Sequence, residues 1–114
     1  MNCVDLGHLH VITATNFLAR AQGLIGKPDL IKCQALWIAP CNSVHTCFMA
    51  NAIDVVFIGA DDVVVRIVHG LKPWRFAFTR KARSVLELAA GEAVSLGLYP
   101  GCRLSKCTFC HSIS

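Results

Sequence analysis

Asp54 stands at the head of an unbroken apolar run, Val55-Val56-Phe57-Ile58. A carboxylate there is partly buried, so it must be paired or hydrogen-bonded to be tolerated. Two roles fit it: a general base or ligand contact, or a carboxylate that receives backbone amides of the preceding turn. Arg20 is a natural partner in either role, through a bidentate guanidinium–carboxylate pair. Glu87, between Leu86 and Leu88, would supply the second member of an acid–base pair acting on sugars or esters if it met Asp54. The plainer alternative is an exposed glutamate, or one paired with Arg83. His45 and Cys47 are two apart and share one face of an extended segment, which sets an imidazole beside a thiol. No helix N-terminus or third orienting group is indicated for such a nucleophile. His45 and Thr46 serve equally well as groups that satisfy buried backbone.

The chain has seven cysteines, an odd number that does not suit a disulfide frame. The first dozen residues include Asn2, Asp5, His8 and His10, with no lysine or arginine before Arg20. That is not an export signal, so a cytoplasmic protein with reduced thiols is expected. Cys107-Thr108-Phe109-Cys110-His111 spells the haem-attachment pattern C-x-x-C-H, but haem is attached outside the cytoplasm and is set aside. Cys107 and Cys110 form one zinc knuckle that Cys102, His111 or the Cys41/Cys47 pair could complete. One C-x-x-C falls short of the two pairs of a closed site, so no cofactor is expected. The plainer reading is a terminus with exposed thiols. Cys3, Cys33, Cys41, Cys47 and Cys102 lie in or beside core elements and read as small apolar packers.

Net charge is +4, yet no acid occurs between Val63 and Leu86, where Arg66, Lys72, Arg75, Arg80, Lys81 and Arg83 are interleaved with Trp74, Phe76 and Phe78. Such a stretch could hold phosphate while its aromatics stack on bases. The plainer reading is a solvated strand face, with Phe76 and Phe78 alternating toward the core. Charge alone is not specificity, so nucleic acid ranks behind a small molecule or a protein as partner.

These residues have to be placed by a small fold. With 114 residues, 54% of them apolar and 16% charged, the chain fits one domain, expected over 1–104 with a tail at 105–114. The uncharged stretch from Cys33 to Ile53 is interrupted by polar residues and is no membrane span. Extended segments are expected at Leu9–Thr13, Leu36–Ala39, Ile53–Ile58, Val63–Val68, Phe76–Phe78, Ser84–Leu88 and Cys102–Leu104. Short helices are expected at Phe17–Ile25 and Ala89–Leu96, and Gly59-Ala60-Asp61-Asp62 reads as a hairpin turn. Many short strands with two short helices make a mainly β, α+β domain, a small sandwich or barrel.

Three segments carry a resemblance: ATNFLARAQGLIG (14–26), HTCFMANAIDVVFIGADDVVVRI (45–67) and VLELAAGEAVSLGLYPGCRL (85–104). In order, they resemble domain of unknown function 192, a family of small prokaryotic proteins. The family's Arg-x-x-Gly-Leu falls on Arg20, Gly23 and Leu24. Its aromatic-Met-x-Asn-x-x-x-Asp pattern falls on Phe48, Met49, Asn51 and Asp54 with the spacing shortened, and the usual proline before Leu-Asp is absent. Its Leu-Glu-Leu-x-x-Gly falls on Leu86, Glu87, Leu88 and Gly91. The resemblance implies a small β-sandwich or barrel and implies no established activity. The expected site is a polar cluster of His45, Thr46, Asn51 and Asp54, with Arg20 and Glu87 converging on it and Trp74 at its rim. An acid–base or hydrolytic enzyme using Asp54 and His45 is the alternative.

Overall fold

The computed structural model describes residues 3–5, 10–14, 34–47, 49, 51–105 and 110–112. The strands are β1 (Cys3–Asp5), β2 (His10–Ala14), β3 (Gln34–Ile38), β4 (Ser43–His45), β5 (Ile53–Ile58), β6 (Val64–Leu71), β7 (Phe76–Phe78), β8 (Ser84–Ala89), β9 (Arg103–Ser105) and β10 (Cys110–Ser112). A 3-10 turn spans Ala60–Asp62, and a single helical turn, α1, spans Glu92–Ser95. The expected helix at Phe17–Ile25 lies outside the described residues.

Six strands form the main sheet in the order β10-β2-β3-β8-β5-β6. The sheet is mixed: β10, β2 and β3 run parallel, whereas β3–β8, β8–β5 and β5–β6 are antiparallel. Its order is open rather than closed into a barrel, and the mainly β, α+β class stands. A ribbon of β4 and β7 and a parallel pair of β1 and β9 complete the strands. The segment Cys110–Ser112, expected in a tail, adds a strand beside β2.

β5 forms because its β-branched and aromatic residues suit a strand buried on both faces, and all six of its residues are buried. The 3-10 turn after it is tight: Gly59 N–H donates to Val63 O at 2.8 Å. Asp61 and Asp62 take left-handed φ values of 58°, which a short polar side chain tolerates better than a bulky one. The strand that returns, β6, carries one extra residue between the pairs Ile53–Leu71 and Val55–Val68. This bulge holds Gly70, whose φ of +64° favours glycine.

Strand register divides the core. Asp54 pairs with Leu88 and Val55 with Glu87, while Ala35 pairs with Leu88 and Leu36 with Glu87. By pleat alternation, one face carries Ala35, Trp37, Val56, Ile58, Leu86 and Leu88. It is covered by Ala93 of α1 together with Leu98, Cys102 and Leu104. The opposite face carries Val55, Phe57 and Val85, and the ribbon closes over it through Val44 and Ala77, joined by Met49 and Ala82. Each large apolar side chain buried in this way contributes about 1.5–3 kcal/mol. The helix expected at Ala89–Leu96 is shorter because Ala89 still belongs to β8, and Gly91 turns the chain at φ +91°.

Candidate functional site

Asp54 is buried to 1% exposure and fully engaged with backbone. Its Oδ1 accepts the Gly70 N–H at 2.9 Å, and its Oδ2 accepts the N–H groups of Gly91 and Ala93, each at 3.0 Å. The carboxylate therefore fills the β6 bulge on one side and caps α1 on the other. Gly91 has no side chain to perform that capping, so Asp54 does it from a neighbouring strand. The expectation of a carboxylate that satisfies backbone amides matches this geometry, but the amides belong to distant segments rather than to the preceding turn. With three donors already on a buried carboxylate, Asp54 is a latch and not an accessible base.

Glu87 occupies the opposite face. It is 1% exposed, its cross-strand neighbours are Val55 and Leu36, and neither oxygen has a hydrogen-bond partner among the described residues. Burial alone pushes its carboxyl up to about 8, so the group is neutral at lower pH. The expected carboxylate pair with Asp54 is not made, because the sheet separates them. Nor is Glu87 exposed or paired with Arg83, the two plainer alternatives. Arg20, the expected partner of Asp54, lies outside the described residues.

His45, Thr46 and Trp74 do come together. In the ribbon Ser43 pairs with Phe78, Val44 with Ala77 and His45 with Phe76. Val44 and Ala77 point to the core, so His45, Phe76 and Phe78 share the outer face. This reverses the orientation expected for the two phenylalanines: the alternation is right, but Ala77 is the residue that faces inward. Phe76 is 67% exposed and Phe78 48%. At one end of the ribbon, the loop through Trp74 is pinned by Thr46, which is completely buried. Thr46 N–H donates to Arg75 O at 2.9 Å and Trp74 N–H to Thr46 O at 3.0 Å. The Thr46 hydroxyl accepts from Arg75 N–H at 2.8 Å and donates to Lys72 O at 2.5 Å. These bonds hold Trp74 at φ +62°, a conformation that costs a bulky aromatic residue about 1–2 kcal/mol, with its side chain 59% exposed.

At the other end, beside Phe78, a shallow groove of about 520 Å³ is lined by Pro40, Cys41, Asn42, Ala82 and Arg83. Arg66 stands between the sheet and the ribbon. Its Nη1 donates to Phe78 O at 3.0 Å, and its guanidinium lies 5.9 Å from the centre of the Phe57 ring. Such a cation over an aromatic face is attractive.

Asn51 is exposed at a bend before β5. Strand β4 ends at His45 and Cys47 lies in the turn beyond, so the shared face expected from their spacing is lost. Cys102 is fully buried in the core on the α1 side, while Cys41 packs with the clusters on the ribbon side. Among the described residues no three His, Cys, Asp or Glu side chains gather as metal ligands. Cys107 lies outside the described residues, and Cys110 is described only as part of strand β10. Among the described residues no helix is long and apolar enough to cross a membrane.

The sequence matches the profile of the family DUF192, described as an uncharacterised ACR, over residues 3–106. The UPF0127 protein PF1050 of Pyrococcus furiosus is 34% identical over 103 residues, covering 84% of this chain and 85% of that relative. A solved structure of a protein of unknown function from Novosphingobium aromaticivorans has a TM-score of 0.72 at 22% identity, covering 82% of this chain and 71% of the other. One from Sinorhizobium meliloti, provisionally described as a transcription regulator, has a TM-score of 0.72 at 24% identity, covering 82% and 78%. At such identities the two structures share the fold, and the likeness carries nothing about activity.

Proposed function

The chain belongs to the DUF192 family of uncharacterised proteins, and we propose that it acts within this fold as a non-catalytic binding domain whose working face is the β4–β7 ribbon and the Trp74 loop. One observation carries the reading: Trp74, Phe76 and Phe78 are exposed together on a ribbon whose inner side is packed and whose loop backbone is held by Thr46. Rigid exposed aromatics give large contact area at little entropic cost, which is why they dominate binding hot spots. A strained aromatic at the tip of an otherwise well-bonded loop points the same way.

The hydrolytic alternative needs Asp54 and His45 in one site. Asp54 faces the α1 side of the sheet, whereas His45 faces solvent from the ribbon on the other side, so they cannot share a substrate. The binding reading needs no cofactor. A fragment library screened by ligand-observed NMR against wild type and Phe76→Ala/Phe78→Ala tests it, beside a turnover screen of generic esters, phosphoesters and glycosides. Hits that vanish in the double variant, with no turnover dependent on Asp54 or His45, support the reading. Hits indifferent to both rings, or turnover abolished by His45→Ala, overturn it.

A further inference from the structure

The chemistry of the ribbon narrows its partner, an inference that rests on that surface being the binding face. Phe76 and Phe78 alternate on one strand, so their rings rise from the same side about 7 Å apart along the chain. His45 sits directly opposite Phe76 and extends the platform sideways. Trp74 stands beyond one end of β7, and the groove of Pro40, Asn42 and Arg83 lies beyond the other. Together they form a track rather than a pocket.

The segments that flank β7 on both sides are basic. Lys72, Arg75, Arg80, Lys81 and Arg83 are all exposed, and no acid interrupts the sequence from Val63 to Leu86. Lys72, Arg80, Lys81 and Arg83 make no side-chain hydrogen bond or ion pair among the described residues. Arg66 is fixed beside Phe78 by its bond to the Phe78 carbonyl. A second copy of this chain would bring like charges face to face. An acidic peptide would answer the charge and leave the ring faces without flat partners. A duplex keeps its bases stacked on one another. Only a single strand offers both a π-face and a phosphate at every step.

We propose that the β4–β7 ribbon is a stacking platform for single-stranded nucleic acid, with bases on Phe76, Phe78 and Trp74 and phosphates at Lys72, Arg75, Arg80 and Arg83. Phosphate contacts set affinity and salt dependence, and the rings distinguish a nucleic acid from any other polyanion.

Fluorescence anisotropy of the full chain with labelled oligouridylate and oligothymidylate tests this. Saturable binding is expected for one or both strands, weakening steeply with salt. Phe76→Ala and Phe78→Ala should each weaken it about tenfold, since a base stacked on an aromatic ring typically carries that much or more. Both side chains are exposed, so these variants should melt as wild type does. Arg75→Gln/Arg80→Gln should weaken binding and flatten its salt dependence. Val94→Ala, at an exposed position of α1 across the sheet, should change nothing.

Unchanged affinity in the ring variants, or equal competition by polyglutamate or duplex, overturns the proposal. Self-association abolished by Phe76→Ser overturns it in favour of a second copy. If oligonucleotides fail to bind while fragment hits still depend on the rings, the nucleic-acid inference falls and the binding face stands. If fragment hits ignore the rings as well, both fall.

Discussion

Asp54 and Glu87 lie on adjacent strands, one register position apart, yet their side chains face opposite sides of the sheet. That relationship decides where function is sought. Asp54 is spent on three backbone amides that tie β5 to the β6 bulge and to α1. Glu87 is enclosed with apolar neighbours. The two carboxylates that suggested acid–base chemistry are thus separate structural features, and the accessible side chains gather on the ribbon instead.

Replacing Asp54 should destabilise the protein. Asp54→Ala deprives three backbone donors of their acceptor, with the Ala93 amide buried and those of Gly70 and Gly91 partly buried, and should cost about 3–5 kcal/mol, whereas Asp54→Asn keeps one acceptor oxygen and should cost about 2 kcal/mol. Urea unfolding followed by circular dichroism measures both; an unchanged midpoint for Asp54→Ala would refute the latch.

Glu87 imposes a pH dependence whose sign follows from its raised value. In the unfolded chain the carboxyl ionises near 4.5, and in the folded protein near 8. Between those values the folded state binds the extra proton, so stability falls as pH rises, by up to about 1.4 kcal/mol per unit. The contribution is fully present below 4.5 and lost by the time the folded group ionises near 8. Glu87→Gln should flatten this slope and gain stability relative to wild type at pH 8. Denaturant midpoints across pH 5–8 check it, and parallel curves for the two proteins would count against a neutral buried Glu87.

Thr46→Val removes the hydroxyl that accepts from Arg75 and donates to Lys72 while keeping the shape of the side chain. It should cost about 1–2 kcal/mol and loosen the loop, whereas Thr46→Ser should retain the pin. The indole N–H resonance of Trp74 should broaden or shift in the valine variant only. Identical spectra for all three proteins would show that the hydroxyl does not hold the loop.

Trp74→Gly relieves a left-handed conformation but adds chain entropy in the unfolded state, and these effects nearly offset. Its unfolding free energy should stay within about 1 kcal/mol of wild type while binding through the ribbon weakens. A loss above about 2 kcal/mol would make Trp74 a packing residue rather than a binding one.

Much of the scaffold was legible in the sequence. The β-branched run Ile53–Ile58 and its Gly-Ala-Asp-Asp turn marked the β5–β6 hairpin, and the alternation at Phe76–Phe78 marked β7 with the same bounds. Strand β4 was not legible, since three residues in a polar segment become a strand only by pairing with β7. Which side of β7 faces inward depends on what lies beneath it, and Ala77 rather than the phenylalanines fits under the ribbon. The separation of Asp54 from Glu87 was hidden for a related reason: alternation orders residues within a strand, while register between strands distant in sequence is set by tertiary packing. His45, Thr46 and Trp74 meet at the end of the ribbon through backbone pairing, while Asp54 lies on the far side of the sheet, a separation that residue types and spacing do not encode.

Amide chemical-shift mapping with a short single-stranded oligonucleotide shows whether the ribbon is the binding face. Shifts should concentrate at His45, Trp74, Phe76 and Phe78, while Asp54, Gly70, Gly91 and Ala93 stay in place. Shifts centred on the Asp54 latch, with the ribbon silent, would contradict it.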